Sequence, residues 1–74
     1  MSYTLNDNSW VKLSILDITG KVIKNLIDSK QGQGNYKIKW NGKTSNGDDA
    51  ENGAYYYRLE TRGNEQTQQV IKLK

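Results

Sequence analysis

Residues 40–60 read WNGKTSNGDDAENGAYYYRLE. Its first part is crowded with Gly, Asn and Asp, and three consecutive tyrosines then open an alternating run. A turn-forming segment feeding directly into period-two alternation is the mark of a loop entering a strand. In residues 54–61, Tyr55, Tyr57 and Leu59 fall on one face and Tyr56, Arg58 and Glu60 on the other. The connection at 41–53 is long for a compact domain and marks either function or a Greek-key crossing.

The same pattern extends in both directions. Residues 2–5 form a short apolar-polar stretch suited to an edge strand, and residues 6–9 are a turn by composition. Residues 10–16 alternate, with Val11, Leu13 and Ile15 on one face and Trp10, Lys12 and Ser14 on the other. Asp17-Ile18-Thr19-Gly20 ends that run. Residues 21–28 carry Val22, Ile23, Leu26 and Ile27, a spacing that suits a helical stripe or a strand. Its brevity and its Ile and Val content favour a strand, with a bulge reconciling the doubled apolar pairs. Residues 31–34 read as a loop. Residues 35–40 predict a strand with Tyr36, Ile38 and Trp40 inward and Lys37 and Lys39 outward. Residues 62–65 predict a hairpin turn, and residues 67–73 a last strand. The expected fold is an all-β, antiparallel Ig-like sandwich of about seven strands.

The chain has 74 residues, of which 34% are hydrophobic, so it is read as one small domain with a thin core. It has no cysteine, proline or histidine. Disulfides and thiolate metal sites are therefore excluded, and the commonest general base and metal ligand are missing. Eleven basic residues against eight acidic give a net charge of +3, too mild a bias for a nucleic-acid binder without interleaved exposed aromatics. No run is long and apolar enough to form a membrane-spanning helix, and no leader-like segment follows Met1. The chain is expected to be either cytosolic or, the favoured reading, one domain taken from a longer protein, with residues 1–74 forming a single unit.

Candidate sites are few. Asp48, Asp49 and Glu51, with Asn46 and Asn52, concentrate oxygen in one loop, but their spacing does not follow a calcium-binding helix-loop-helix frame. Turn formation is the favoured account of them. Trp10 and Tyr56 point outward by parity and are candidates for a flat sugar-binding platform. Lys12, Lys37 and Lys39 form a basic outward set whose simplest role is to keep sheet surfaces and edges soluble. No enzyme activity, cofactor or metal is expected.

Taken together, several segments carry a family resemblance: Tyr3-Thr4-Leu5, residues 11–22 (VKLSILDITGKV), Trp40-Asn41-Gly42-Lys43, Asn46-Gly47, residues 52–59 (NGAYYYRL) and the ending at 70–74. Their order resembles the type A C-terminal sorting domain of proteins exported by the type IX secretion system of Bacteroidetes-type bacteria. That domain is similar in turn to the Ig-like domain of the flagellar hook-capping protein. The motif positions are Gly20, Trp40, Gly47, Gly53, Tyr55 and Tyr57. The chain departs from the pattern at Asn6 and at Glu51-Asn52, where proline is common, and at Asn41, where Asp is usual.

The resemblance implies a domain that directs a secreted or surface-attached cargo through the periplasm to the cell surface. The implied partners are an outer-membrane translocon and a sortase-like peptidase, with the cargo joined to anionic lipopolysaccharide. Val70, Ile71, Lys72, Leu73 and Lys74 would carry the signal, with Ile71 and Leu73 buried and Lys72 and Lys74 outward. Two other readings stand beside it: a carbohydrate-binding module using Trp10 and Tyr56, and a structural Ig-like domain of a hook-cap-type assembly.

Overall fold

The computed structural model describes residues 1–73. Six strands follow one another: β1 (Ser2–Leu5), β2 (Ser9–Leu16), β3 (Val22–Gln31), β4 (Gly34–Lys37), β5 (Gly53–Thr61) and β6 (Asn64–Lys72). They form two antiparallel sheets, one of four strands in the order β3-β2-β5-β6 and one pairing β1 with β4. The expected all-β, Ig-like architecture is what forms. It has six strands rather than about seven, one for each run that alternation picks out, and the 41–53 connection folds as an irregular hairpin with a single Lys43–Asp49 bridge.

The core is made by the faces that alternation assigned. Val11, Leu13 and Ile15 of β2 and Tyr55, Tyr57 and Leu59 of β5 are buried, and Tyr3 and Leu5 of β1 lie against them. Val11, Leu13 and Ile15 are completely inaccessible. Each such side chain stabilises by about 1.5–3 kcal/mol over its exposed state, which is how so small a chain holds together.

The ambiguous stretch at 21–28 is a strand, and the bulge expected there occurs twice. Leu13 pairs with Ile27 and Ser14 with Asn25, so Leu26 is the extra residue; Ile15 pairs with Lys24 and Leu16 with Val22, so Ile23 is the next. Each bulge allows neighbouring apolar residues to contribute to one core, and Ile23, Leu26 and Ile27 all pack against it. The strand also runs on to Gln31, leaving only Gly32 and Gln33 to turn into β4.

Strand β4 stops at Lys37 rather than reaching Trp40, because its partner β1 has only four residues. One further rung forms: the Met1 terminal ammonium donates to the Ile38 carbonyl at 2.7 Å, and the Ile38 amide to the Met1 carbonyl at 2.8 Å. Tyr36 and Ile38 are partly buried, as alternation placed them, and Trp40 is 7% exposed.

The last strand differs from its expected facing. Strand β6 begins at Asn64, three residues early, and the turn is only Arg62-Gly63, with Gly63 at φ 75°, a value glycine adopts without strain. Closing the hairpin on Thr61–Asn64 fixes every later pair, so Val70 lies opposite Tyr55, Ile71 opposite Ala54 and Lys72 opposite Gly53. Val70 therefore packs on the core, while Ile71 is 55% exposed and Leu73 80% exposed. Ile71 and Leu73 are outward, and Lys72, not expected inward, is half-buried. Lys74 lies outside the described residues.

Candidate functional site

Three of the motif residues, Trp40, Tyr55 and Tyr57, meet around Trp40. Its indole packs edge-on to the Tyr55 ring, with centroids 4.9 Å apart and planes at 62°. Its backbone amide donates to the Tyr57 hydroxyl at 3.0 Å, and its indole N–H donates to the Lys43 carbonyl at 2.8 Å. Tyr55 in turn donates its hydroxyl to the Glu51 carbonyl at 2.6 Å. One aromatic cluster thus pins both ends of the 41–53 segment to β5, with every polar end satisfied. Gly20, Gly47 and Gly53 lie apart from it at turns or a strand start; the Gly20 and Gly47 amides close their turns on the Asp17 and Thr44 carbonyls, both at 3.0 Å.

The 41–53 segment is folded down rather than open. The Thr44 amide donates to the Asp48 carbonyl at 2.8 Å, the Ala50 amide to the Gly42 carbonyl at 2.9 Å, and the Ser45 amide to the Ile23 carbonyl at 3.0 Å. Ala50 is buried in the core. Lys43 pairs with Asp49 at 2.6 Å, and this hydrogen bond, then the ammonium charge, holds the Asp49 carboxyl below its ordinary range. Both side chains are well exposed, so the pair contributes little to stability. Among the described residues, no three Asp or Glu side chains gather as a cation site.

Gly42 marks where the chain end crosses this segment. A Cβ there would lie 2.8 Å from Lys72 Cε, and the residue holds φ 81°. The Lys72 stem covers the Gly42 backbone, a packing role for its methylenes that alternation alone does not reveal.

The outer face of the four-stranded sheet carries the other candidates. Trp10 is 60% exposed, and its indole N–H donates to Asp28 Oδ1 at 2.7 Å, which fixes the ring on the sheet. It lines an open groove of about 550 Å³ with Lys12, Lys30, Glu60 and Arg62. Tyr56 lies on the same face but pairs with Leu16, six residues along β2 from Trp10. At about 3.3 Å per residue that is roughly 20 Å, so the two aromatics share a face without forming one platform. Lys12 is on this sheet, whereas Lys37 ends β4 of the other sheet and Lys39 follows it, so the basic set is divided.

Two residues of this face are buried, which alternation did not anticipate. Ser14 is inaccessible and Leu16 is 7% exposed. Their cross-strand neighbours on β5 are Arg58 and Tyr56, whose long side chains share that face. Ser14 donates to Asn25 Oδ1 at 3.0 Å. Arg58 Nε lies 2.9 Å from Glu60 Oε1 and 3.8 Å from Glu65 Oε1 but is not aligned for a hydrogen bond, so these contacts are Coulombic.

Asp17 caps the β2–β3 turn. Its Oδ1 accepts the Thr19 hydroxyl at 2.6 Å, the Thr19 amide at 2.9 Å and the Lys21 amide at 3.0 Å. These bonds, that of the Thr19 hydroxyl foremost, hold the exposed carboxyl below its ordinary range. The Asp-x-Thr-Gly stretch signals such a turn by its chemistry.

A four-strand sheet backed by a short two-strand sheet, with an aromatic cluster joining the long connection to β5, defines an Ig-like domain. The sequence profile of the FlgD Ig-like domain matches residues 1–65, and the chain belongs to that family. No curated protein and no solved structure gives a significant match.

Proposed function

We propose that the chain is a non-catalytic structural module that works by holding protein subunits in place, as part of a hook-cap-type assembly. The observation that carries this reading is family membership over residues 1–65. The use of the motif residues agrees with it: Trp40, Tyr55 and Tyr57 are all buried in the core and serve the fold. The chain also lacks His and Cys, the commonest general base and the most intrinsically nucleophilic side chain. Its activity then resides in its surfaces.

The test is a graft. The chain replaces the Ig-like module of a flagellar hook-capping protein, and completed hooks are counted by electron microscopy. Hooks at a substantial fraction of the parental number are the expected outcome. A folded, stably expressed chimaera that builds none contradicts the reading.

A second reading is favoured by one specific observation. Ile71 and Leu73 are apolar and exposed, one within β6 and the other just beyond it. An exposed apolar pair of this kind suits recognition by an outer-membrane translocon, the partner that the sequence resemblance implies. In that reading the domain is an address for a cargo bound for the cell surface, and a sortase-like peptidase and lipopolysaccharide complete the route.

A further inference from the structure

The four-stranded sheet has two open edges, and they are built differently. Strand β3 is interrupted by two bulges and carries Lys24, Asp28 and Lys30. Bulges and charges of this kind are how natural sheets prevent edge-to-edge pairing. Strand β6 has none of these protections. It keeps an unbroken nine-residue register with β5, contains no proline, and carries charge only at Glu65 and Lys72, near its two ends. The run from Gln66 to Ile71 is uncharged, and Gln66, Gln68 and Gln69 are exposed. The backbone groups of β6 that point away from β5 have no strand to bond.

We infer that β6 is an interaction edge whose occupant is β6 of a second copy of this chain, paired antiparallel across a two-fold axis. The inference does not depend on the functional reading above. Charge along β6 does not oppose the second copy, and Ile71 gains an apolar contact from it. In antiparallel self-pairing, residues on the same face lie opposite each other, so the axis must pass midway between the two copies of one residue. Centred on Gln68, Gln69 or Val70, no register sets like charges against each other. Centred on Gln69, Thr67 meets Ile71 of the second copy, Gln68 meets Val70, and Gln66 meets Lys72. The Thr–Ile contact gives the exposed Ile71 side chain a β-branched neighbour. The two four-stranded sheets would join as one sheet of eight.

Nine residues a side is well short of the roughly 20–30 of a standard interface. The pairing is therefore weak and concentration-dependent. It becomes substantial where copies are tethered side by side, since short tethers give effective concentrations of about 1 mM.

Sedimentation equilibrium of the 74-residue chain up to about 1 mM, with amide hydrogen exchange at both ends of that range, tests this. The weight-average mass should rise toward twice the monomer value, and exchange should slow selectively in residues 64–72. The double variant Gln68→Lys with Gln69→Lys sets lysines against lysines in all three registers. It should abolish association while its melting temperature stays within a degree or two of the parent. A second variant set, Gln68→Pro and Gln69→Pro, covers loss of folding in the first. Successive residues of an antiparallel strand aim their backbone groups to opposite sides, so one of the two prolines faces the open edge. That variant should melt normally and stay monomeric. A chain that remains monomeric throughout overturns the inference. So does association that the folded β6 variants leave unchanged, which would assign the contact to another surface such as the Trp10 groove.

Discussion

At the scale of single residues, stability rests on a few buried polar contacts within a thin core. Tyr57 is the clearest case, because its hydroxyl accepts the Trp40 amide in a buried setting. Tyr57→Phe keeps the ring but leaves that amide unpaired, so urea denaturation should show a loss of about 1–3 kcal/mol. Trp40→Ala removes the whole cluster and should cost about 3–5 kcal/mol. Tyr3 supplies a pH signal. It stacks on Tyr36 with centroids 5.2 Å apart, donates its hydroxyl to Gln31 at 2.5 Å, and burial raises its phenol above the ordinary 10.0. A raised folded-state value means that its contribution is complete below pH 10 and is lost as pH rises through the folded value. The melting temperature should thus fall in alkali, and Tyr3→Phe should flatten that limb. Asp17 and Asp49 act in the opposite sense. Their carboxyls are lowered in the fold, so their contributions hold above the ordinary 3.8 and vanish as pH falls through the folded values. Asp17→Asn should reduce the acid sensitivity of the melt.

At the scale of elements, alternation was a sound guide wherever a strand ran straight. Strands β2 and β5 bury the faces that it assigned, because a period of two has no freedom once one face is covered. Strand β3 was legible for a different reason: its doubled apolar pairs made sense only with bulges, and the bulges fall at those pairs. Strand β6 was not legible in its facing. Alternation grouped Ile71 with Leu73, two residues on, and so placed Ile71 inward, but Leu73 lies beyond the strand and Val70 is the residue that packs on the core. The hairpin chose: a two-residue turn at Arg62-Gly63 sets the register, and the register puts Val70 inward. The buried stem of Lys72 and the buried Ser14 were equally unreadable, since each depends on cross-chain neighbours. Comparing Val70→Ala with Ile71→Ser by thermal melting tests the register. Val70→Ala should lower stability by about 1 kcal/mol or more. Ile71→Ser, at an exposed position, should change it by less than about 0.5 kcal/mol. The reverse order would restore the facing first expected from the sequence.

At the scale of the whole molecule, the candidate site was readable only as a pattern of residues and not as a role. Trp40, Tyr55 and Tyr57, singled out as motif positions, clamp a long connection onto β5 in the fold. A clamp of this kind serves any Ig-like module, whether it spaces subunits or addresses a cargo. Those two roles differ in where a fused protein goes, so the most direct measurement is export. A reporter enzyme is fused ahead of the chain in a type IX-competent host, beside a version carrying Ile71→Ser. As a structural module, the chain should leave the reporter inside the cell in both cases. Reporter delivered to the medium or cell surface, and lost with the stability-neutral Ile71→Ser, would contradict the structural account and establish the chain as an export address.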